Sequence, residues 1–150
     1  MSTNVQAIAR NASLTGLVAS VCREVVIEAR PDEVWAALRD WGGLHRRLAP
    51  GFVTDTRLDG DDRIVTFAGG LVVREVLVAL DDERRRLVWT VVDGPYSHHN
   101  GAAQVHTAGS GSRFVWTADL LPDERAAATA QAMEEGLLTI TRTLEGAEPA

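Results

Sequence analysis

Glu75 and His99 are the ionisable side chains best placed for chemistry in this 150-residue sequence. Each falls on the apolar face of an alternating segment. Glu75 alternates with Leu71, Val73, Leu77 and Ala79, and His99 with Gly101, Ala103 and Val105. Every second residue of a strand shares a face, so both groups are expected to point toward the inner side of a sheet. A carboxylate there needs a partner or takes up a proton, because a bare buried charge is costly. Two roles stand open for Glu75: a general acid/base acting on an enolisable ketone, or a salt bridge to arginines of neighbouring strands or at the sheet rim. His99 reads either as a base or hydrogen-bond donor in a cavity, or as a partly exposed histidine near a strand start.

Other chemistries find no support in the residue spacing. His98 and His99 are adjacent and point to opposite faces of a strand, while His106 is eight residues further on and His45 stands alone. No histidine/carboxylate spacing matches a metal site, so no metal and no cofactor are expected. Ser97 precedes His98, but a nucleophilic serine also needs an orienting acid and an oxyanion pocket. The Gly109-Ser110-Gly111 run lies between two strands and reads as a turn rather than a phosphate loop. Arg84, Arg85 and Arg86 follow Asp81, Asp82 and Glu83, which suggests a solvated turn with local ion pairs of small value. The sequence contains no lysine, which excludes a lysine Schiff base.

The elements that must position these residues follow from the hydrophobic periods. Residues 1–18 show none and read as a loosely held arm, residues 19–146 as one domain and residues 147–150 as a tail. Residues 19–29 alternate, with Val21, Arg23, Val25, Ile27 and Ala29 on one face of a strand. Pro31, with Asp32 and Glu33 behind it, starts a helix whose apolar stripe is Val34, Trp35 and Leu38. A second short helix fits Trp41 to Leu48, ended by Pro50-Gly51. From Phe52 to Leu120, turn signals at 59–62, 69–70, 81–82 and 109–111 divide five or six segments into an antiparallel meander. After Pro122 the period becomes helical: Ala126, Ala130, Met133, Leu137, Ile140 and Leu144 form one stripe. That helix is about 22 residues, roughly 33 Å, long enough to cover a sheet. The whole is an α+β layout: one strand, two short helices, a run of strands and one long helix.

Alternation also sorts the candidate binding residues. Trp89, Phe114, Trp116 and His99 share the concave face, opposite Met133 and Leu137 of the long helix. Ala126, Ala127, Ala130 and Ala132 would leave space that leucines would fill, which favours a cavity beneath the first half of that helix. Trp35, Trp41, His45 and Tyr96 are added as candidates from the short helices and the loop before His98. The plain alternative is that the tryptophans pack the core and the alanines reflect a GC-rich bacterial coding bias.

Taken in order, several segments resemble the START-like, helix-grip (SRPBCC) superfamily, and within it the polyketide cyclase/dehydrase-like group of small bacterial proteins. They are ARPDEVWAALRDW at 29–41, APGF at 49–52, RIVTFAGGLVVREVL at 63–77, DDERRRLVWTVVDGP at 81–95, HHNGAAQV at 98–105, GSRFVWTADLLPDE at 111–124 and RTLE at 142–145. Gly69 departs from the pattern, since relatives often carry asparagine before the turn glycine. The resemblance implies a curved antiparallel sheet wrapped around the C-terminal helix, with a ligand cavity between them. It also implies the family's range of roles, from carriers of hydrophobic ligands to aromatase/cyclases.

Composition limits the partners. Fifteen arginines against 21 acidic residues leave a net charge of -6, unfavourable for phosphate-backbone binding, so no nucleic acid is expected. No apolar run reaches ~18 residues and the N-terminus lacks a signal-peptide pattern, so no membrane span and a cytoplasmic location are expected. The single cysteine, Cys22, cannot form an internal disulfide. The leading expectation is therefore binding of a hydrophobic, aromatic or polyketide-like small molecule. A cyclase/aromatase or dehydratase using Glu75 and His99 is the alternative, and a homodimer through a sheet edge or the arm is a third possibility.

Overall fold

The computed structural model describes residues 19–146. The proposed arm (1–18) and tail (147–150) lie outside the described residues. The chain runs through β1 (Ser20–Ile27), α1 (Pro31–Arg39), a five-residue π-helical turn (Leu44–Leu48) and then six strands. These are β2 (Val53–Asp59), β3 (Asp62–Phe67), β4 (Val72–Asp81), β5 (Arg86–Val91), β6 (His98–Ala108) and β7 (Gly111–Leu121). A 3-10 turn, Asp123–Arg125, leads into α2, Ala126–Leu144. The second short helix is thus one π-helical turn, and the long helix has 19 residues because its first turn is 3-10.

All seven strands form one antiparallel sheet in the order β1-β7-β6-β5-β4-β3-β2. Each hairpin pairs consecutive strands, and β1 closes the sheet by pairing with β7. The link from β1 to β2 crosses between opposite edges, and α1 and the π turn lie along it. Register shifts at Val53/Asp55 and Leu77/Ala79 mark bulges, which bend a strand and raise its local twist. The second bulge overturns one sequence assignment. Beyond it the alternation of β4 reverses, so Ala79 is exposed while Leu80 packs against the core.

α2 lies across the sheet, and this is the helix-grip arrangement. It buries Thr129, Ala130, Met133, Gly136, Leu137 and Ile140. Each fully buried Met, Leu or Ile side chain contributes about 1.5–3 kcal/mol. The helix also reaches β1 through Arg23, whose Nε donates to Glu134 at 2.8 Å. The alanines divide differently from the sequence expectation. Ala127 is exposed, Ala126 and Ala130 pack with the cluster of Val21 and Leu120, and Ala132 together with Ala128 faces the larger cavity described below.

The Asp81–Arg86 turn is the dock for α1. Asp82 accepts from Trp35 Nε1 at 2.8 Å and from Arg39 Nε at 2.7 Å, and Arg85 donates to Asp32 at 2.7 Å. The Trp35 and Arg39 hydrogen bonds hold the Asp82 carboxyl below its ordinary range. Arg84 alone makes the local pair expected, with Asp81. Removing the acceptor in Asp82→Ala leaves the Trp35 indole N–H without its partner. The expected outcome is a lower melting temperature with cavity binding unchanged; an unaltered melting curve would contradict this role.

Candidate functional site

The buried side chains form two clusters. One centres on Ile27, Trp35, Trp89 and Phe114; the other joins Val21, Ala118, Leu120, Ala130 and Met133. Tyr96 and Trp116 pack against both, and a cavity of about 360 Å³ opens where the clusters separate. Its floor is Val73, Glu75, Trp89 and Val91 from the sheet, and its roof is Thr129, Ala132 and Met133 from α2. Phe52, Phe67, Trp116, Tyr96 and His99 form the sides, with exposed Leu71, Arg125 and Glu135 at the rim. A smaller cavity of about 60 Å³ adjoins it and shares Phe52, Phe67, Glu75, Trp89 and Trp116. Phe52 and Phe67 meet edge to face at 5.7 Å along the shared wall.

Glycine makes room for this wall. Gly101 stands directly opposite Trp89 in the β5–β6 register, and the Trp89 indole lies over it. A Cβ on Gly101 would fall 2.4 Å from Trp89 Cε2. On the helix side, a Cβ on Gly136 would lie 3.0 Å from Trp116 and 3.1 Å from Phe52. A glycine inside a strand often marks such a close approach.

Glu75 takes the ion-pair role. Arg63, opposite it on β3, donates to Oε1 from Nε at 2.9 Å, and its Nη2 makes an ion-pair contact with the same oxygen at 2.8 Å. Arg63 Nη1 donates to the Trp41 carbonyl at 3.2 Å, and the guanidinium stacks on the Trp41 ring at 3.7 Å. Both charged side chains are almost fully buried, at 4% and 7% exposure. Burial pulls the Arg63 guanidinium below its ordinary range, and the adjacent Glu75 carboxylate opposes that pull. Sequence reasoning missed Arg63; its place in a hairpin partner of the Glu75 strand was the available signal.

His99 lines the larger cavity, with its ring 4.6 Å from Tyr96 at 61°. The Tyr96 hydroxyl and Thr129 Oγ1 share a 2.9 Å hydrogen bond that ties the β5–β6 loop to α2. His99 Nδ1 and Trp116 Nε1 are covered and have no hydrogen-bond partner among the described residues. Burial lowers the His99 pKa from its ordinary 6.5, against a smaller opposing pull from Glu75. The unfolded chain thus binds the His99 proton more readily than the native one. The stability this gives is fully present above about pH 6.5 and declines as pH falls toward the depressed native value. Thermal melts from about pH 8 to about pH 5 should show that decline, and His99→Gln should flatten it. Identical pH profiles for the two proteins would contradict the assignment.

The remaining sequence candidates separate in space. Trp89, Trp116, Tyr96 and Met133 line the larger cavity and Phe114 the smaller one. Trp35, Trp41, His45 and Leu137 line neither. Trp35 is held at the Asp82 turn, Trp41 donates to the Asp61 carbonyl at 3.0 Å, and Leu137 is packed in the core. His45 sits in the π turn. Among the described residues, no three His, Cys, Asp or Glu side chains cluster as metal ligands. No helix there is long and apolar enough to cross a membrane.

The sequence from residue 18 to residue 145 matches the profile of a family described as polyketide cyclase / dehydrase and lipid transport. An uncharacterised protein from Bacillus thuringiensis superposes with a TM-score of 0.75 at 17% identity, covering 84% of this chain and 98% of that one. A START superfamily protein from Mycobacterium smegmatis gives a TM-score of 0.66 at 10% identity, with 85% and 94% covered. A solution structure from Thermobifida fusca gives 0.67 at 25% identity, with 85% and 91% covered. No curated protein matches the sequence.

Proposed function

The chain belongs to the polyketide cyclase/dehydrase and lipid transport family, and from that premise we propose that it binds a hydrophobic, aromatic or polyketide-like small molecule between sheet and helix. The observation that carries this reading is the cavity of about 360 Å³ under the N-terminal half of α2. Its volume falls at the small end of the ~300–1,000 Å³ common for ligand sites. Its wall is mainly aromatic and aliphatic, with a few polar groups (Glu75, His99, Thr129) to orient a guest. Trp89 and Trp116 offer ring faces for stacking, and Met133 is an adaptable apolar contact.

The test is native mass spectrometry and equilibrium titration against a panel of apolar aromatic compounds. A one-to-one complex is expected with the wild-type protein. Ala132→Phe places a ring in the cavity from a position that is not fully buried, so the variant should fold normally and lose binding at least tenfold. Absence of any complex, or full binding by Ala132→Phe, would contradict the reading.

A second reading, acid/base catalysis of cyclisation or dehydration in the same cavity, is favoured by the presence of both Glu75 and His99 in its wall. Loss of turnover in Glu75→Gln and His99→Ala, with binding retained, would support it.

A further inference from the structure

We propose that the bound molecule presents a neutral hydroxyl group to Glu75, and that the site discriminates against anions. The inference rests on the ligand-binding reading and specifies the polar chemistry of that same site. Glu75 lies where the two cavities adjoin, so any guest filling the larger one meets it. The Arg63 hydrogen bond and its shortest ion-pair contact both fall on Oε1, and no described residue donates to Oε2. A carboxylate accepts up to about four hydrogen bonds and donates none. The open valence of this buried group is therefore an acceptor.

Charge narrows the class further. The Arg63 guanidinium is committed to Glu75 and to the Trp41 carbonyl, and its face is covered by Trp41. Arg125 and Glu135 both stand at the rim, so an anionic group at the inner end would find no free cation there and would face the Glu75 carboxylate. A cationic guest would lose its hydration beside a pair that is already neutral, which is costly in an apolar cavity. A hydroxyl satisfies the free oxygen at the smallest desolvation cost. The apolar walls around it favour attachment of that hydroxyl to an aromatic ring, in contact with Trp89 and Trp116.

Three probes with one skeleton test this on the wild-type protein by calorimetry: 2-naphthol, 2-methoxynaphthalene and 2-naphthoate. The naphthol should bind about 10–100-fold tighter than the ether, the advantage of a hydrogen bond to a charged group. The naphthoate should bind more weakly than the naphthol. In Glu75→Gln the preference for naphthol over the ether should shrink to less than about threefold. The wild-type series decides alone if that variant does not fold. Equal affinities for naphthol and ether, or tightest binding by the naphthoate, overturn the proposal and leave the ligand-binding reading standing. No binding by any of the three overturns the proposal and counts against that reading as well.

Discussion

Glu75→Leu and Arg63→Met, made singly, should each cost about 3–5 kcal/mol of unfolding free energy, whereas the double replacement should come within about 1 kcal/mol of wild type. Desolvation is the reason. Each charge is nearly stripped of water, and its oppositely charged partner is the main compensation for the lost hydration. Removing Glu75 strands the guanidinium against Trp41 and Trp89, and removing Arg63 strands the carboxylate in the cavity wall. Removing both replaces two charges by apolar volume, which the surrounding aromatic wall accommodates. Urea unfolding of the four proteins measures the coupling directly. Additive losses would mean that the two side chains do not act as a pair. The result also bears on chemistry. A carboxylate tethered through one oxygen is held in place, and any proton it handles must pass through the other.

The second large effect is expected at Gly101. In Gly101→Val the new side chain occupies space now held by the Trp89 indole, whose Cε2, Cζ2 and Nε1 lie 2.4, 2.5 and 2.7 Å from the ideal Cβ position. Strand pairing fixes the two backbones, so the indole must move. The space beside it is the cavity. Overpacking of this kind costs about 1–3 kcal/mol, and the displaced ring should abolish ligand binding. Restoring space with Gly101→Val/Trp89→Leu should recover most of the stability without recovering full affinity. A Gly101→Val protein with wild-type stability and binding would show that the indole does not rest on this glycine.

Much of the architecture was legible because the strands alternate cleanly. Leu87, Trp89 and Val91 on β5, and Phe114, Ala118 and Leu120 on β7, are buried as the period of two requires. Alternation fails where a bulge intervenes, and no residue type announced the shift between Leu77 and Ala79. Arg63 was hidden because an arginine in a strand is ordinarily read as solvated; only its register opposite Glu75 reveals the buried pair. The tryptophans illustrate the limit of residue type. All four carry the same apolar ring and indole N–H, yet Trp35 and Trp41 are anchored by hydrogen bonds away from the cavity. Trp89 and Trp116 line it. Which tryptophan meets a guest depends on the acceptors Asp82 and the Asp61 carbonyl, brought close only by folding.

That division supplies the most direct test of the ligand cavity. Indole N–H signals of the ¹⁵N-labelled protein report each tryptophan separately during titration with 2-naphthol. Saturable shifts are predicted for Trp89 and Trp116 with one-to-one stoichiometry, while Trp35 and Trp41 stay in place. Four signals that do not move, or that move together without saturating, would contradict a site between the sheet and the C-terminal helix.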